Sequence, residues 1–523
     1  MKWLIVEDAL RDRKGHWLEY VSTFVRGLKE LGDEVTVLCD RKAEVFIMEQ
    51  TGAKPLLPES IWHRMGDGAG ALRRYARVPG HAFATFIALR RFFRSLNHGE
   101  HGGGGGEVSQ GEMASPPDWI FVPTVLVHHL LGWRILLTTG SVPRNSRVVL
   151  FFPNLPIHLD NAGRAFWNGG PTTKLMAWLL AQLRKGVDSG RVVLGVETHA
   201  MRLALESLIG MRVAYLPHPV EFHAETRRRG GEESPTALTT EDTESTEDCF
   251  VQKQSCAWSS QTGPSEPDSL ASKPADSSIS QSPTRSATAP ASLPSTSYPL
   301  PATAAKPIVF GCYGAARWEK GSDIFQEAIR LILDGVISTK NNAKGGEQIK
   351  PWKTRIDTPE GRPIHFAIQW VEDFQDEKGN FVALDPLLKN HPQVDVIDRY
   401  FQGDEYERCL EQTDVMVLPY RSPYRLRVSR VVIEAMMHGM PVIATKATTL
   451  FEQAQEFGTV VACDGADAKS LAEAIWNLVT DFERMQHEAH RKSEIARTKF
   501  SVKYFRGSLI KFSSPRLHFF ENN

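Results

Sequence analysis

The sequence lacks an excess of charge of either sign: 61 Lys and Arg stand against 62 Asp and Glu in 523 residues. A balanced chain gives no electrostatic reason to expect nucleic acid as a partner. Cysteine is scarce. The six are Cys39, Cys249, Cys256, Cys312, Cys409 and Cys463. None form a C-x-x-C pair, which excludes a disulfide framework and a cysteine zinc site and points to a reducing compartment. Long hydrophobic runs are missing too. The N-terminal apolar run is only about five residues long and ends in acids, too short for the core of a signal peptide. No stretch approaches the roughly 18 apolar residues of a membrane span. The expectation is a cytoplasmic protein. There is no G-x-G-x-x-G, no G-K-[ST] and no D-x-D metal loop, so neither a dinucleotide fingerprint, a P-loop nor a bound metal is expected.

What is present is organised by one break. Residues 223–306 are dominated by Ser, Thr, Pro, Ala and Glu. Such a tract cannot bury enough apolar surface to offset the entropy of ordering, and is expected to be disordered. It separates 1–222 from 307–500, with a tail at 501–523. Smaller loose pieces are expected at 98–118 and 340–362.

Each half alternates short apolar runs with amphipathic ones. In the first, strands are predicted at Trp3–Glu7, Glu34–Cys39, Trp119–Val122, Val148–Phe152, Val192–Val196 and Val213–Leu216. Helices are predicted at Trp17–Leu31, His81–Leu96, Thr172–Lys185 and Ala200–Ile209. In the second, strands are predicted at Ile308–Tyr313, His365–Trp370, Val394–Ile397, Val415–Leu418, Val442–Ala444 and Thr459–Ala462. Helices there are Ser322–Leu333, Asp404–Gln412, Ser429–His438 and Ala468–Val479. The strand runs do not alternate apolar with polar, as strands buried on both faces should not. The fold class is therefore α/β: two Rossmann-like, doubly wound domains facing a cleft between the carboxyl ends of their sheets.

Three β-α junctions carry candidate chemistry. The first leads from Glu7 to a helix start near Gly15 and His16, where backbone amides favour an anion; an ordinary loop glycine and surface histidine is the competing reading. The second, after the strand at 308–313, holds Gly314, Arg317, Glu319, Lys320 and Gly321. Arg317 and Lys320 are placed to neutralise a diphosphate, against the plainer reading of a solvated charged turn. The third runs from Pro419 through Arg421, Arg425 and Arg427 to a helix beginning near Ser429, Arg430 and Val431 and carrying Glu434. A carboxylate among apolar neighbours needs a partner. A ribose diol supplies one, and a salt bridge to Arg427 or Arg430 is the structural alternative. Residues 71–97 form a basic amphipathic stretch, read either as a membrane-surface helix or as a core-facing helix with solvated arginines.

The run Glu434-Ala435-Met436-Met437-His438-Gly439-Met440-Pro441-Val442-Ile443-Ala444-Thr445 resembles the nucleotide-sugar signature of retaining GT-B glycosyltransferases, family 4-like (glycosyl transferases group 1). Glu319-Lys320-Gly321-Ser322-Asp323 resembles the E-K-G-x-D element of the same family. Leu216-Pro217-His218-Pro219-Val220 resembles its domain-closing segment, and the Gly15-His16 loop agrees in order. The resemblance implies a sugar transferred from a UDP-, GDP- or ADP-linked donor to a glycan, lipid-linked or small-molecule acceptor, retaining and without metal or other cofactor. It implies that Lys320, with Arg317, holds the diphosphate, that Glu434 holds the ribose, and that the backbone at Arg430–Val432, with Arg427 and Ser429 beside it, faces phosphate. Gly15 and His16 would face the donor, Tyr400–Gln402 would flank the base, and the tail at 501–523 would cross back to the first domain. Some positions depart from the pattern. Leu426 stands where a sugar-contacting glutamate is usual, Arg430 where glycine is usual, and Ala315 where arginine is usual. No histidine follows the strand ending at Phe152, which leaves His158, His128 and His129 as alternatives. A degraded GT-B binding or scaffold protein and a sugar-nucleotide epimerase are the rival readings.

Overall fold

The computed structural model describes residues 1–12, 17–60, 71–98, 115–160, 162–222, 306–314, 316–335, 355–371, 373–401 and 404–514. The long Ser/Thr/Pro-rich tract, Gly15, His16, Ala315 and Gln402 therefore lie outside the described residues.

The first sheet has seven parallel strands: β1 (Lys2–Val6), β2 (Glu34–Asp40), β3 (Ala53–Leu57), β4 (Trp119–Val122), β5 (Arg147–Phe152), β8 (Val192–Val196) and β9 (Ala214–Tyr215). Their order is β3-β2-β1-β4-β5-β8-β9. A small antiparallel hairpin, β6 (Ile157–Leu159) with β7 (Ala165–Trp167), follows β5. Successive side chains of one strand feed opposite layers. Trp3 and Ile5 pack with helix α1 (Trp17–Glu30). Leu4 and Val6 pack in the opposite layer, with α3 (Ala71–His98) and α4 (Val127–Thr138). Helix α2 (Val45–Thr51) links β2 to β3. Helices α5 (Pro171–Gln182), α6 (Arg184–Asp188) and α7 (His199–Ile209) lead into and out of β8.

The second sheet has six parallel strands in the order β12-β11-β10-β13-β14-β15. They are β10 (Ile308–Cys312), β11 (Ile364–Gln369), β12 (Val394–Ile397), β13 (Val415–Leu418), β14 (Val442–Thr445) and β15 (Val460–Cys463). The helices are α8 (Ser322–Leu333), the single turn α9 (Pro386–Lys389), α10 (Glu405–Gln412), α11 (Arg430–Met437), α12 (Thr449–Phe457), α13 (Ala468–Thr480) and α14 (Phe482–Lys499). Here Val415 and Val417 face the α8–α13 layer, while Met416 and Leu418 face the α11–α12 layer.

The basic stretch is one long helix, α3, whose Ala82, Phe86, Leu89 and Phe93 are buried in the core while Arg91 and Arg94 are exposed. No described helix is long and apolar enough to cross a membrane. Residues 355–362, grouped by composition with an insertion, make a turn whose Ile356 is buried and bonded through both backbone groups to the Gln393 side chain. The C-terminal helix α15 (Val502–Phe512) packs on the first sheet: Phe505 lies 4.8 Å from Phe24 and 5.3 Å from Phe121, ring centre to ring centre. Helices α1 and α15 approach so closely that a Cβ on Gly27 would sit 2.6 Å from Val502 Cβ.

Candidate functional site

Strand β10 lies between β11 and β13, so the connections leave it in opposite directions and open a crevice beside its carboxyl end. The second and third junctions border that crevice. Past β10, Gly314 has φ 93°, a left-handed value that favours glycine. A Cβ there would collide with Lys320 Nζ, so the glycine lets the ammonium lie on the backbone. The Gly314 amide donates to Gln369 Oε1 at 2.8 Å, and Gln369 Nε2 donates to the Arg399 carbonyl at 2.9 Å, which pins the loop. A single 3-10 turn (Trp318–Lys320) follows and ends at Gly321, φ 69°, where a Cβ would collide with the Pro419 carbonyl.

The two junctions are stitched together. Arg421 donates to both Asp323 oxygens, at 2.8 and 2.7 Å, and its amide donates to the Glu319 carbonyl at 2.8 Å. Its guanidinium also stacks on Trp318. Arg421, read from sequence only as one of a basic loop, is thus a structural clasp. Arg317 Nη1 lies 3.9 Å from Glu319, with both side chains largely buried.

Past β13, Ser429 is the extended residue before α11, and its side chain makes no capping bond. The first-turn amides of α11, beginning at Arg430 and Val431, receive no cap from the Ser429 side chain, and a helix start of this kind favours an anion. Arg427 Nη1 is buried with no hydrogen-bond partner. Burial, and then the Arg427 charge, hold His158 of β6 below its ordinary pKa, which places Arg427 beside the first domain. Leu426, the position where a sugar-contacting glutamate is usual in the resembling family, is buried in the hydrophobic cluster of the first domain.

Glu434 is 6% exposed. Arg430 Nε donates to its Oε1 at 2.6 Å, and Tyr406 Oη donates to its Oε2 at 2.5 Å. Of the two salt-bridge partners the sequence offered, Arg430 is the one present. Arg430 also pairs with Glu19 of α1, across the two domains. Burial raises the Glu434 pKa, opposed by the Arg430 charge and the Tyr406 bond. Tyr406 clusters with Phe401 and Tyr313. A small open pocket is lined by Tyr406, Arg430, Glu434, Met437, His438 and Phe222. Tyr400 donates to Asp373 at 3.1 Å. Tyr406 is the residue that sequence reasoning missed: it lies on α10, and only the parallel sheet brings it to Glu434.

In the first domain the carboxyl end of β1 carries two buried acids. Burial, then the Asp8 charge, pushes Glu7 up to about 8. Asp8 is surrounded by His81, His128 and His129. His128 and His129 are therefore buried beside an acid and not displayed on an open cleft wall. Past β9, His218 lies 3.0 Å from Glu197, which follows β8, and stacks on Tyr20.

Residues 378–481 match the family described as Glycosyl transferases group 1. No curated protein sequence matches the chain. Among solved structures, a glycosyltransferase from Rickettsia africae superposes with TM-score 0.51 at 9% identity, covering 98% of each chain. Anabaena Alr3699/HepE in complex with UDP superposes with TM-score 0.50 at 12% identity, covering 98% of this chain and 99% of that one. At these identities the likeness is one of fold: the chain has the GT-B glycosyltransferase fold.

Proposed function

We propose that this chain, whose residues 378–481 match glycosyl transferases group 1, is a glycosyltransferase that moves a sugar from a nucleotide donor held at the β10–β13 crevice. The observation that carries the reading is that Lys320 lies on Gly314 in a junction that Arg421 ties to the loop leading into α11, where the order of the second sheet reverses. Transfer requires a nucleoside diphosphate to leave. Fixed cations and helix amides stabilise that charge without reorganising. Lys320, with Arg317 and Arg427, would hold the diphosphate, and the amides at Arg430–Val431, with Ser429, the distal phosphate. Glu434 would accept the ribose hydroxyls in exchange for Arg430 and Tyr406. The reaction is proposed to retain anomeric configuration and to need no metal at the donor. Gly15 and His16 belong to the proposal as the facing loop.

The packing of Leu426 in the first domain favours one second reading, a nucleotide-binding module without transfer. Turnover against a library of UDP-, GDP- and ADP-sugars, read by mass and by the anomeric NMR signal of the product, separates the two. Transfer with retained configuration supports the enzyme. Nucleotide binding with neither transfer nor donor hydrolysis supports the module.

A further inference from the structure

The crevice explains the second domain's charged groups but leaves one cluster in the first domain unexplained. Asp8, at the end of β1, is 4% exposed. His81 on α3, and His128 and His129 at the start of α4, are 2%, 3% and 5% exposed. His129 Nε2 lies 3.1 Å from Asp8 Oδ2, His81 Nε2 3.2 Å and His128 Nε2 4.0 Å from the same oxygen. His129 and His81 both bond the Asp8 carboxylate, while Asp8 Oδ1 and His128 Nε2 are buried without a hydrogen-bond partner. Two buried polar atoms in one cluster are left for a ligand to satisfy.

We propose that Asp8, His128 and His129 bind a divalent transition-metal ion of the zinc class, with His81 bracing the carboxylate. The ligand atoms of the three residues all lie within 4.8 Å of one another. A tetrahedral site with bonds near 2.1 Å has ligand-to-ligand edges of about 3.4 Å. The separations of 3.1 and 4.0 Å from Asp8 Oδ2 to the two ligand histidines bracket that edge. Two imidazoles and one carboxylate suit zinc or ferrous iron rather than calcium or magnesium, which prefer oxygen.

A hydrogen-bonded Asp8–His129 pair without metal is the competing arrangement. The Leu126 amide donates to His129 Nδ1 at 3.1 Å, which in a neutral ring leaves the proton on Nε2, facing Asp8. Metal at Nε2 moves that proton to Nδ1, as ligating histidines ordinarily arrange, and replaces the Leu126 bond. The ion would tie the end of β1 to α3 and α4. This inference does not rest on the donor assignment, whose cations and ribose carboxylate lie in the other domain.

The test uses the full chain, stripped with a chelator and titrated with Zn2+ and with Co2+. Elemental analysis is expected to give one zinc per chain, Co2+ to show the intense visible bands of a low-coordinate site, and Zn2+ to raise the melting temperature. His128→Asn and Asp8→Asn are expected to weaken binding at least tenfold. His487→Asn, at an exposed histidine, leaves it unchanged. Substoichiometric zinc with no cobalt band in the wild-type chain overturns the proposal, whatever the variants do. So does a cobalt band that survives His128→Asn. Nucleotide-induced stabilisation, measured in parallel, reports on the donor site separately.

Discussion

Arg430 and Glu434 stand one helical turn apart on α11, and Nε of the first lies 2.6 Å from Oε1 of the second. With Tyr406 on the other oxygen, the carboxylate is held ionisable inside the protein and aimed by two donors. A ribose diol presents the same two-donor chemistry. Glu434→Gln should therefore weaken nucleoside diphosphate binding. A hydrogen bond to a charged group is worth about 1.5–3 kcal/mol, or roughly ten- to a hundredfold in Kd. Calorimetric titration of the variant checks this.

The same carboxylate sets a pH dependence. Burial raises the Glu434 pKa, so its protonated form, which has lost an acceptor, is reached at a higher pH than for an exposed glutamate. Nucleotide affinity should fall as pH drops through that raised value and level off above it. Kd measured across the acid-to-neutral range checks the direction, and Glu434→Gln should flatten the curve.

Lys320→Met should discriminate between ligands. The ammonium lies against Gly314 where a diphosphate is expected, while the ribose contacts are elsewhere. Diphosphate binding should weaken by about tenfold or more, the scale of one charge-assisted bond. Nucleoside binding should change little. Parallel titrations with a nucleoside and its diphosphate test the difference.

Legibility from sequence followed physical signal. β4 and β8 were readable because both are unbroken apolar runs buried on both faces. β3 escaped notice because Pro55 interrupts it, which its edge position tolerates. α4 is apolar almost all round, so it shows no helical period, and α14 is so polar that its one buried face, Phe482, Ala489, Ser493 and Ala496, is too small and sparse to read as an apolar stripe. At the site, the Arg430–Glu434 spacing was visible because it is local. Tyr406, and the meeting of Asp8 with His81, depend on contacts between distant segments that no local pattern encodes.

The C-terminal helix offers a stability test. At an ordinary helix position, Gly→Ala gains about 1 kcal/mol. At Gly27 the new methyl would meet Val502 Cβ at 2.6 Å, and such overpacking costs about 1–3 kcal/mol. Gly27→Ala should lower the melting temperature, and Gly27→Ala with Val502→Ala should recover part of the loss.

Asp33 ties the same helix down. Burial alone would raise its carboxyl, but bonds from Arg506, the N-terminal ammonium and Trp3 hold it below the ordinary value. A lowered acid contributes stability that is complete above its unfolded pKa, near 4 for aspartate, and is lost as pH falls through the folded value. Asp33→Asn should remove that part of the acid dependence. Melting curves of both proteins between neutral and acid pH provide the comparison.

Everything proposed for the second domain requires a nucleoside diphosphate at the β10–β13 crevice. The decisive measurement is titration of UDP, GDP and ADP into the full chain, with Glu434→Gln alongside. At least one of the three should bind and raise the melting temperature, and the variant should bind it at least tenfold more weakly, the scale set for a charged hydrogen bond. Failure of all three to bind, or equal binding by the variant, would contradict that proposal.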